Sequence, residues 1–293
     1  QRGTIYDRNM KPLAQSATVW KVVLAPAYID KDDETLRRKI STGLADILGL
    51  DAEDIYKRTE GTSYYDVLKT KVETDVKDRL VQFIEENDLG NTIQLQEDYK
   101  RYYPFGSFAS TILGFTGTDG QGLAGLEAYY DEYLSGTAGR LVTAKNAVGT
   151  DMPFQYEQKV EAQDGYNLVL TIDEVVQHYL EQALEEGVEN NKVENRATGI
   201  VMNVKTGEIV AMAVKGDYDP NNPFVIADEE ERARIAELPE EEQQEATSAA
   251  LQAQWRNKAV SDTYYPGSVF KMVTLSMALE ENVPTEETTF TCT

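Results

Sequence analysis

Between residues 269 and 279 the chain places apolar side chains at Val269, Phe270, Met272, Val273, Leu275, Met277 and Leu279, with Lys271 as the only charge. At a helical period these residues fall on most sides of the helix rather than along one stripe, and such a helix has to be enclosed by protein or by lipid. Length decides between the two. Crossing a bilayer takes about 18 or more consecutive apolar residues, and no stretch of the chain reaches that. The expectation is therefore a buried core helix, running from Ser268 to about Glu281, inside a layered domain.

The approach to this helix carries the candidate chemistry. Pro266-Gly267 closes an extended segment, Ser268 falls at the expected N-cap, and Lys271 follows three residues later on the same face. Ser268-Val269-Phe270-Lys271 is the only S-x-x-K in the chain. A serine hydroxyl is a poor nucleophile until a base takes its proton, and a lysine amine one turn away can do so if it is neutral. Burial in an apolar site or a second cation nearby would lower the amine pKa, and the positive end of the helix dipole would favour negative charge at Ser268. The same four residues also suit a plain helix cap beside a lysine that snorkels to solvent.

Upstream, strand and helix patterns mix in the manner of an α+β protein. Residues 3–24 read as two strands about a turn at Asn9-Met10-Lys11-Pro12. Leu36, Ile40, Leu44, Ile47 and Leu48 repeat at helical spacing, as do Val76, Leu80, Phe83 and Ile84. A third helix is expected over 123–134 and a strand over 140–144. Around Gln163-Asp164-Gly165 the pattern changes, which places a domain boundary between residues 162 and 163. A short strand then ends at Asp173, the expected N-cap of an amphipathic helix with the stripe Val176, Tyr179, Leu180, Ala183 and Leu184. Residues 198–212 read as a hairpin, and 226–258 as an acidic helical insertion broken at Pro239.

Composition removes several function classes. Acidic residues outnumber basic ones 51 to 28, and the resulting net charge of -23 repels a phosphate backbone, so no nucleic-acid partner is expected. The runs Glu229-Glu230-Glu231 and Glu240-Glu241-Glu242 read as solvated helix faces. A single cysteine, Cys292, and a single histidine, His178, make neither a disulfide framework nor a zinc site, so no cofactor or metal is expected. Two motifs are decoys. Gly120 to Gly125 spell G-x-G-x-x-G, yet the βαβ context is missing and Lys145 stands where a ribose-binding acid would be needed. Lys205-Thr206-Gly207 is a K-T-G, but it falls in a hairpin turn ahead of Ser268 rather than on a strand after it.

Arg2-Gly3-Thr4-Ile5-Tyr6-Asp7-Arg8-Asn9 resembles the opening signature of class B penicillin-binding proteins, with Met10 where that family usually has glycine. Further matches follow in the family's order: Arg101-Tyr102-Tyr103-Pro104 with Gly106, Gly122 to Glu127, Leu170-Thr171-Ile172-Asp173 with Gln177, Asp217 to Asn221, and Tyr265 to Lys271. The resemblance implies an elongated, non-catalytic pedestal domain of the dimerisation type over 1–162. The N-terminal part of a transpeptidase domain, an antiparallel sheet with flanking helices, would follow over 163–293. It implies a single-pass anchor upstream of Gln1 and a location on the outer face of the cytoplasmic membrane. Ser268 would be acylated by the D-Ala-D-Ala end of peptidoglycan stem peptides and by β-lactam antibiotics, with Lys271 as proton acceptor and a membrane-embedded SEDS-type glycan polymerase as partner. The S-x-N and second K-T-G of the family do not occur in these 293 residues; they are expected beyond Thr293, and residues 1–293 alone are expected to be inactive. Two rivals share some features. A β-lactam sensor or S-x-x-K β-lactamase has no use for the pedestal opening, and a non-catalytic cell-wall scaffold would not be labelled by penicillin. The complementary charges of the pedestal motifs predict that Arg2 or Arg8 pairs with Glu127.

Overall fold

The alternation at the start of the chain folds as a hairpin in which β1 (Ile5–Tyr6) turns back into the long β2 (Pro12–Leu24). A computed structural model describes residues 1–142, 158–194, 196–283, 287–289 and 291. The buried Asp7 builds the turn, its Oδ1 accepting Asn9 N and Lys11 N at 2.8 Å each. Met10 sits at φ +64°, the left-handed region that glycine enters without steric cost. The methionine therefore holds a backbone conformation suited to glycine.

β2 is long because it serves two cores. β4 (Ile93–Tyr102) runs antiparallel to it through ten residue pairs, from Gln15↔Tyr102 to Leu24↔Ile93, and β3 (Asp66–Val72) pairs with its C-terminal part. At the Leu24 end α1 (Glu34–Leu48), α2 (Ala52–Arg58) and α3 (Thr74–Glu86) bury Ile40, Leu44, Ile55 and Leu80 against Val22 and Leu24. Asp33 and Asp51 cap the first two helices, accepting Leu36 N and both Glu53 N and Asp54 N. At the other end Ile5, Leu13, Tyr103, Leu113 and Phe115 form a second core, which Tyr218 from the later half joins. At about 3.4 Å per residue the shared ribbon spans about 30 Å, which is the physical basis of the elongated pedestal.

The helix expected over 123–134 is broken. It forms as α5 (Gly125–Tyr129) and α6 (Asp131–Leu134), parted at Tyr130 (φ -105°, ψ 23°), after a separate short α4 (Ser110–Leu113). The break coincides with a contact from far away in sequence. Arg2 Nη2 donates to the Glu127 carbonyl at 2.6 Å, taking the acceptor that a continuous helix would offer to residue 131. Arg2 Nε also meets Glu127 Oε2 at 2.6 Å, so the expected ion pair is present, and Arg2 Nη1 reaches Asp131 Oδ1 at 2.6 Å. Arg101 Nε holds the other oxygen, Oε1, at 2.7 Å, leaving Glu127 fully buried between two guanidiniums. Arg8 instead faces Glu208 at 3.6 Å. The glycines beside this junction serve packing. A Cβ on Gly122 would lie 2.0 Å from Glu127 O, so the G-x-G-x-x-G is a close backbone crossing.

β5 (Arg140–Val142) pairs antiparallel with β6 (Gln158–Val160); residues 143–144 of the expected strand, Lys145 and Cys292 lie outside the described residues. β7 (Leu168–Val169) runs parallel to β1, so the pedestal sheet takes in a strand that follows residue 162.

The later half comprises α7 (Glu174–Asn191), the antiparallel hairpin β8 (Thr198–Met202) and β9 (Ile209–Val214), α8 (Glu229–Ala236), α9 (Glu240–Trp255), α10 (Lys258–Ser261) and α11 (Phe270–Glu280). Asp173 caps α7 as expected, accepting Val175 N and Val176 N. The expected apolar stripe is not buried, however. Tyr179 is 66% exposed, and Gln177 is the one fully buried residue of the helix. A two-stranded hairpin is too narrow to cover a whole helix face. It covers the part that carries Gln177.

Among the described residues, no helix is long and apolar enough to cross a membrane.

Candidate active site

The hairpin β8–β9 packs against α7, which fixes it in place. Asp173 N donates to Val210 O at 2.8 Å and Thr171 Oγ1 to Ile209 O at 2.6 Å. One turn on, the Gln177 side-chain amide faces Met212 as a second peptide would: Nε2 donates to Met212 O and Oε1 accepts Met212 N, both at 2.8 Å. The K-T-G at Lys205 is the hairpin turn, closed by Gly207 N to Asn203 O at 2.8 Å.

The segment leading to Ser268 is tied down at Asp262, whose carboxylate meets Arg196 at 2.7 Å and Arg256 at 2.5 Å. From there the chain runs exposed through Tyr264 and Tyr265 to Gly267, at φ +55°. Ser268 then lies in a 3-10 turn over Gly267–Val269 that passes directly into α11, and Lys271 is the second residue of that helix. Val269 (φ -65°, ψ -32°) and Phe270 (φ -65°, ψ -17°) keep the backbone helical, so side chains three apart share a face. The structure thus brings Ser268 and Lys271 to one face.

Two expectations need correction. Ser268 is not a capping residue, because the 3-10 turn starts the helix one residue earlier and neither start carries a side-chain cap bond. Its hydroxyl has no hydrogen bond among the described residues. The helix is also not buried: Met272 is 66% exposed, and Val269, Phe270, Val273, Leu275, Met277 and Leu279 are exposed as well. A helix apolar all round needs cover on all sides, and the described elements do not supply it. Lys271 is exposed too.

A separate cleft of about 600 Å³ opens where the pedestal meets α7 and β9, lined among others by Phe105, Phe108, His178, Glu181, Lys215 and Asp217. Sequence reasoning missed Glu181, one of several acids on α7. Its Oε1 accepts Ala109 N at 2.8 Å and Gln177 Nε2 at 2.7 Å. Burial pushes its carboxyl above the usual range, and Asp217 adds to this, against the two hydrogen bonds. Neither Ser268 nor Lys271 lines this cleft.

The sequence matches the penicillin-binding protein dimerisation domain over residues 1–170 and the penicillin-binding protein transpeptidase domain over residues 197–293. It belongs to the class B penicillin-binding proteins, in which the first domain precedes the second. It is 33% identical over 281 residues to stage V sporulation protein D of Bacillus subtilis, covering 96% of this chain and 39% of that protein. It is 28% identical over 287 residues to the peptidoglycan D,D-transpeptidase FtsI of Escherichia coli, covering 97% and 43%. The chain therefore spans about two fifths of the length of these curated relatives. The fold is shared with penicillin-binding protein PBP2 in its complex with MreC from Helicobacter pylori, at a TM-score of 0.67 and 22% identity, over 99% of this chain and 53% of that one.

Proposed function

We propose that the protein to which this chain belongs is a serine D,D-transpeptidase that cross-links peptidoglycan. The supporting observation is the common face of Ser268 and Lys271 at the start of α11, within the segment that matches the transpeptidase domain. In this reading Lys271 Nζ takes the proton from Ser268 Oγ, which attacks the penultimate D-Ala carbonyl of a stem peptide. The terminal D-Ala leaves as its amine, and the amine of a second stem peptide then displaces the serine. β-Lactams, which mimic D-Ala-D-Ala, acylate the same oxygen. The pedestal would stand the domain away from a membrane anchor on the outer face of the cytoplasmic membrane. A SEDS-type glycan polymerase is the proposed partner, and the MreC complex of the H. pylori neighbour supports a protein partner for this fold.

Labelling of the full-length protein with fluorescent penicillin tests the reading. Ser268→Ala and Lys271→Ala should each abolish labelling, and normal labelling of either variant would remove that residue from the mechanism. Residues 1–293 alone should label poorly, because the S-x-N and the strand-borne K-T-G, source of a second oxyanion donor in the family, do not occur among them. Losing one such donor costs about 100- to 1000-fold in rate.

A further inference from the structure

The acidic insertion carries a feature that a merely solvated helix lacks. One stripe of α9, formed by Glu240, Gln243, Gln244, Thr247, Ser248, Leu251 and Trp255, makes the wall of a groove of about 530 Å³, with Phe224 as its other lip. The stripe grades from an acidic end at Glu240 to an apolar end at Leu251 and Trp255.

The apolar end is held rigid. Pro223 O accepts Trp255 Nε1 at 2.7 Å and Gln254 Nε2 at 3.1 Å, and the same Nε2 donates to Val225 O at 3.1 Å. Gln254 Oε1 accepts Ala227 N at 3.1 Å. These bonds fix the segment 223–227 so that Phe224 stands 58% exposed, edge-on to both Phe115 and Trp255 at 5.6 and 5.5 Å. An aromatic side chain held in solvent by a pinned loop is an anchor point that a ligand need not order.

The charge at the other end is not neutralised internally. Arg232 and Arg234, the basic residues of α8, already pair with Glu229 and Glu231 on their own helix. Among the described residues Glu237, Glu240, Glu241, Glu242 and Glu245 have no basic partner; Glu240 lines the groove itself and the others surround its end. Three glutamates would favour the start of α9 through its dipole, but they give no reason for the groove beside them.

We propose that this groove docks a basic peptide segment of another protein, its apolar or aromatic anchor residue seated between Phe224, Leu251 and Trp255 and its cations along the Glu240 end. A second copy of a chain with net charge -23 is the wrong complement, as is any anionic surface.

The test is fluorescence anisotropy of the protein with a labelled lysine-rich peptide bearing one Leu-Phe pair. Saturable binding is expected at low salt and should weaken as salt screens the glutamates. Replacing the Leu-Phe pair by Ser-Gln, making Phe224→Ala, or making the triple change Glu240→Gln, Glu241→Gln, Glu242→Gln should each weaken it about tenfold, or about 1.4 kcal/mol. The triple variant lies on exposed positions and keeps the test valid if Phe224→Ala is less stable. Equal affinity for the Ser-Gln peptide or for the triple variant would reduce the binding to diffuse attraction and overturn the proposal. No binding at low salt would overturn it too, as would a dimer in sedimentation that Phe224→Ala dissolves.

Discussion

The Asn221 side chain closes two hydrogen bonds on the backbone of Tyr103, which lies 118 residues earlier: Tyr103 N donates to Oδ1 and Nδ2 donates to Tyr103 O, each at 3.0 Å. Asp219 Oδ1 orients the amide by accepting Nδ2 at 2.8 Å and Asn221 N at 2.9 Å. Two motifs far apart in sequence are thereby one joint between the pedestal and the later half, with Tyr218 buried beside it against Phe115.

Removing that joint should cost more than an ordinary surface change. Asn221→Ala leaves the backbone N–H and C=O of the buried Tyr103 without these partners, a loss of about 1–3 kcal/mol. Asn221→Asp should not rescue it, since it loses the donor and sets a second carboxylate beside Asp219. Urea unfolding of the three proteins checks this, and a change below about 0.5 kcal/mol for Asn221→Ala would show that the joint is not holding.

Glu127 makes a sharper case, because it is fully buried between Arg2 and Arg101. Glu127→Ala leaves the buried Arg101 without its carboxylate and Arg2 with Asp131 alone, and should destabilise by about 3–5 kcal/mol. Arg8→Ala, which breaks the 3.6 Å contact with Glu208 and removes a positive charge near Asp173, should cost about 1 kcal/mol or less. Comparable losses in the two variants, read from denaturation midpoints, would contradict the assignment.

Met10→Gly is expected to stabilise the protein. The side chain is 58% exposed and contributes little burial, while its φ of +64° is strained for any residue with a Cβ. The strain is about 1–2 kcal/mol, and the extra freedom of glycine in the unfolded chain takes back about half of that. A melting temperature equal to or below that of the parent would refute this.

Glu181 gives the stability a pH dependence of known sign. Burial raises its pKa above the ordinary 4.5, so the folded state holds this proton more tightly than the unfolded state does. Its contribution is full below that ordinary value and is lost as pH rises through the folded value. Glu181→Gln does not titrate, so the variant should gain stability relative to the parent as pH rises above the ordinary 4.5. A stability difference that stays constant, or that moves toward the parent, would count against the raised value.

Legibility in the sequence followed the range of the interaction. The β1–β2 and β8–β9 hairpins and the Asp173 cap were readable because neighbouring residues specify them. The Arg2–Glu127 pair was readable only because two motifs carried opposite charges. The break at Tyr130 was not, since it accompanies a bond from Arg2 to a carbonyl 125 residues away. Nor was the burial of Gln177, whose amide binds the backbone edge of a strand distant in sequence. Of the candidate site, the spacing of Ser268 and Lys271 was legible and their surroundings were not. An all-round apolar helix states that it must be covered without naming what covers it.

Gln177 also gives the hairpin a direction. By occupying Met212 N and O on the outer edge of β9, its amide fills the place where another strand would add, next to the Val210 carbonyl already taken by Asp173. β8 is paired only with β9 among the described residues, and its Ile200 and Met202 stand open. The sheet is therefore a one-sided template. Any further strand, whatever its source, can be zipped on beside β8 but not beside β9, so a single glutamine sets the order in which the sheet can grow.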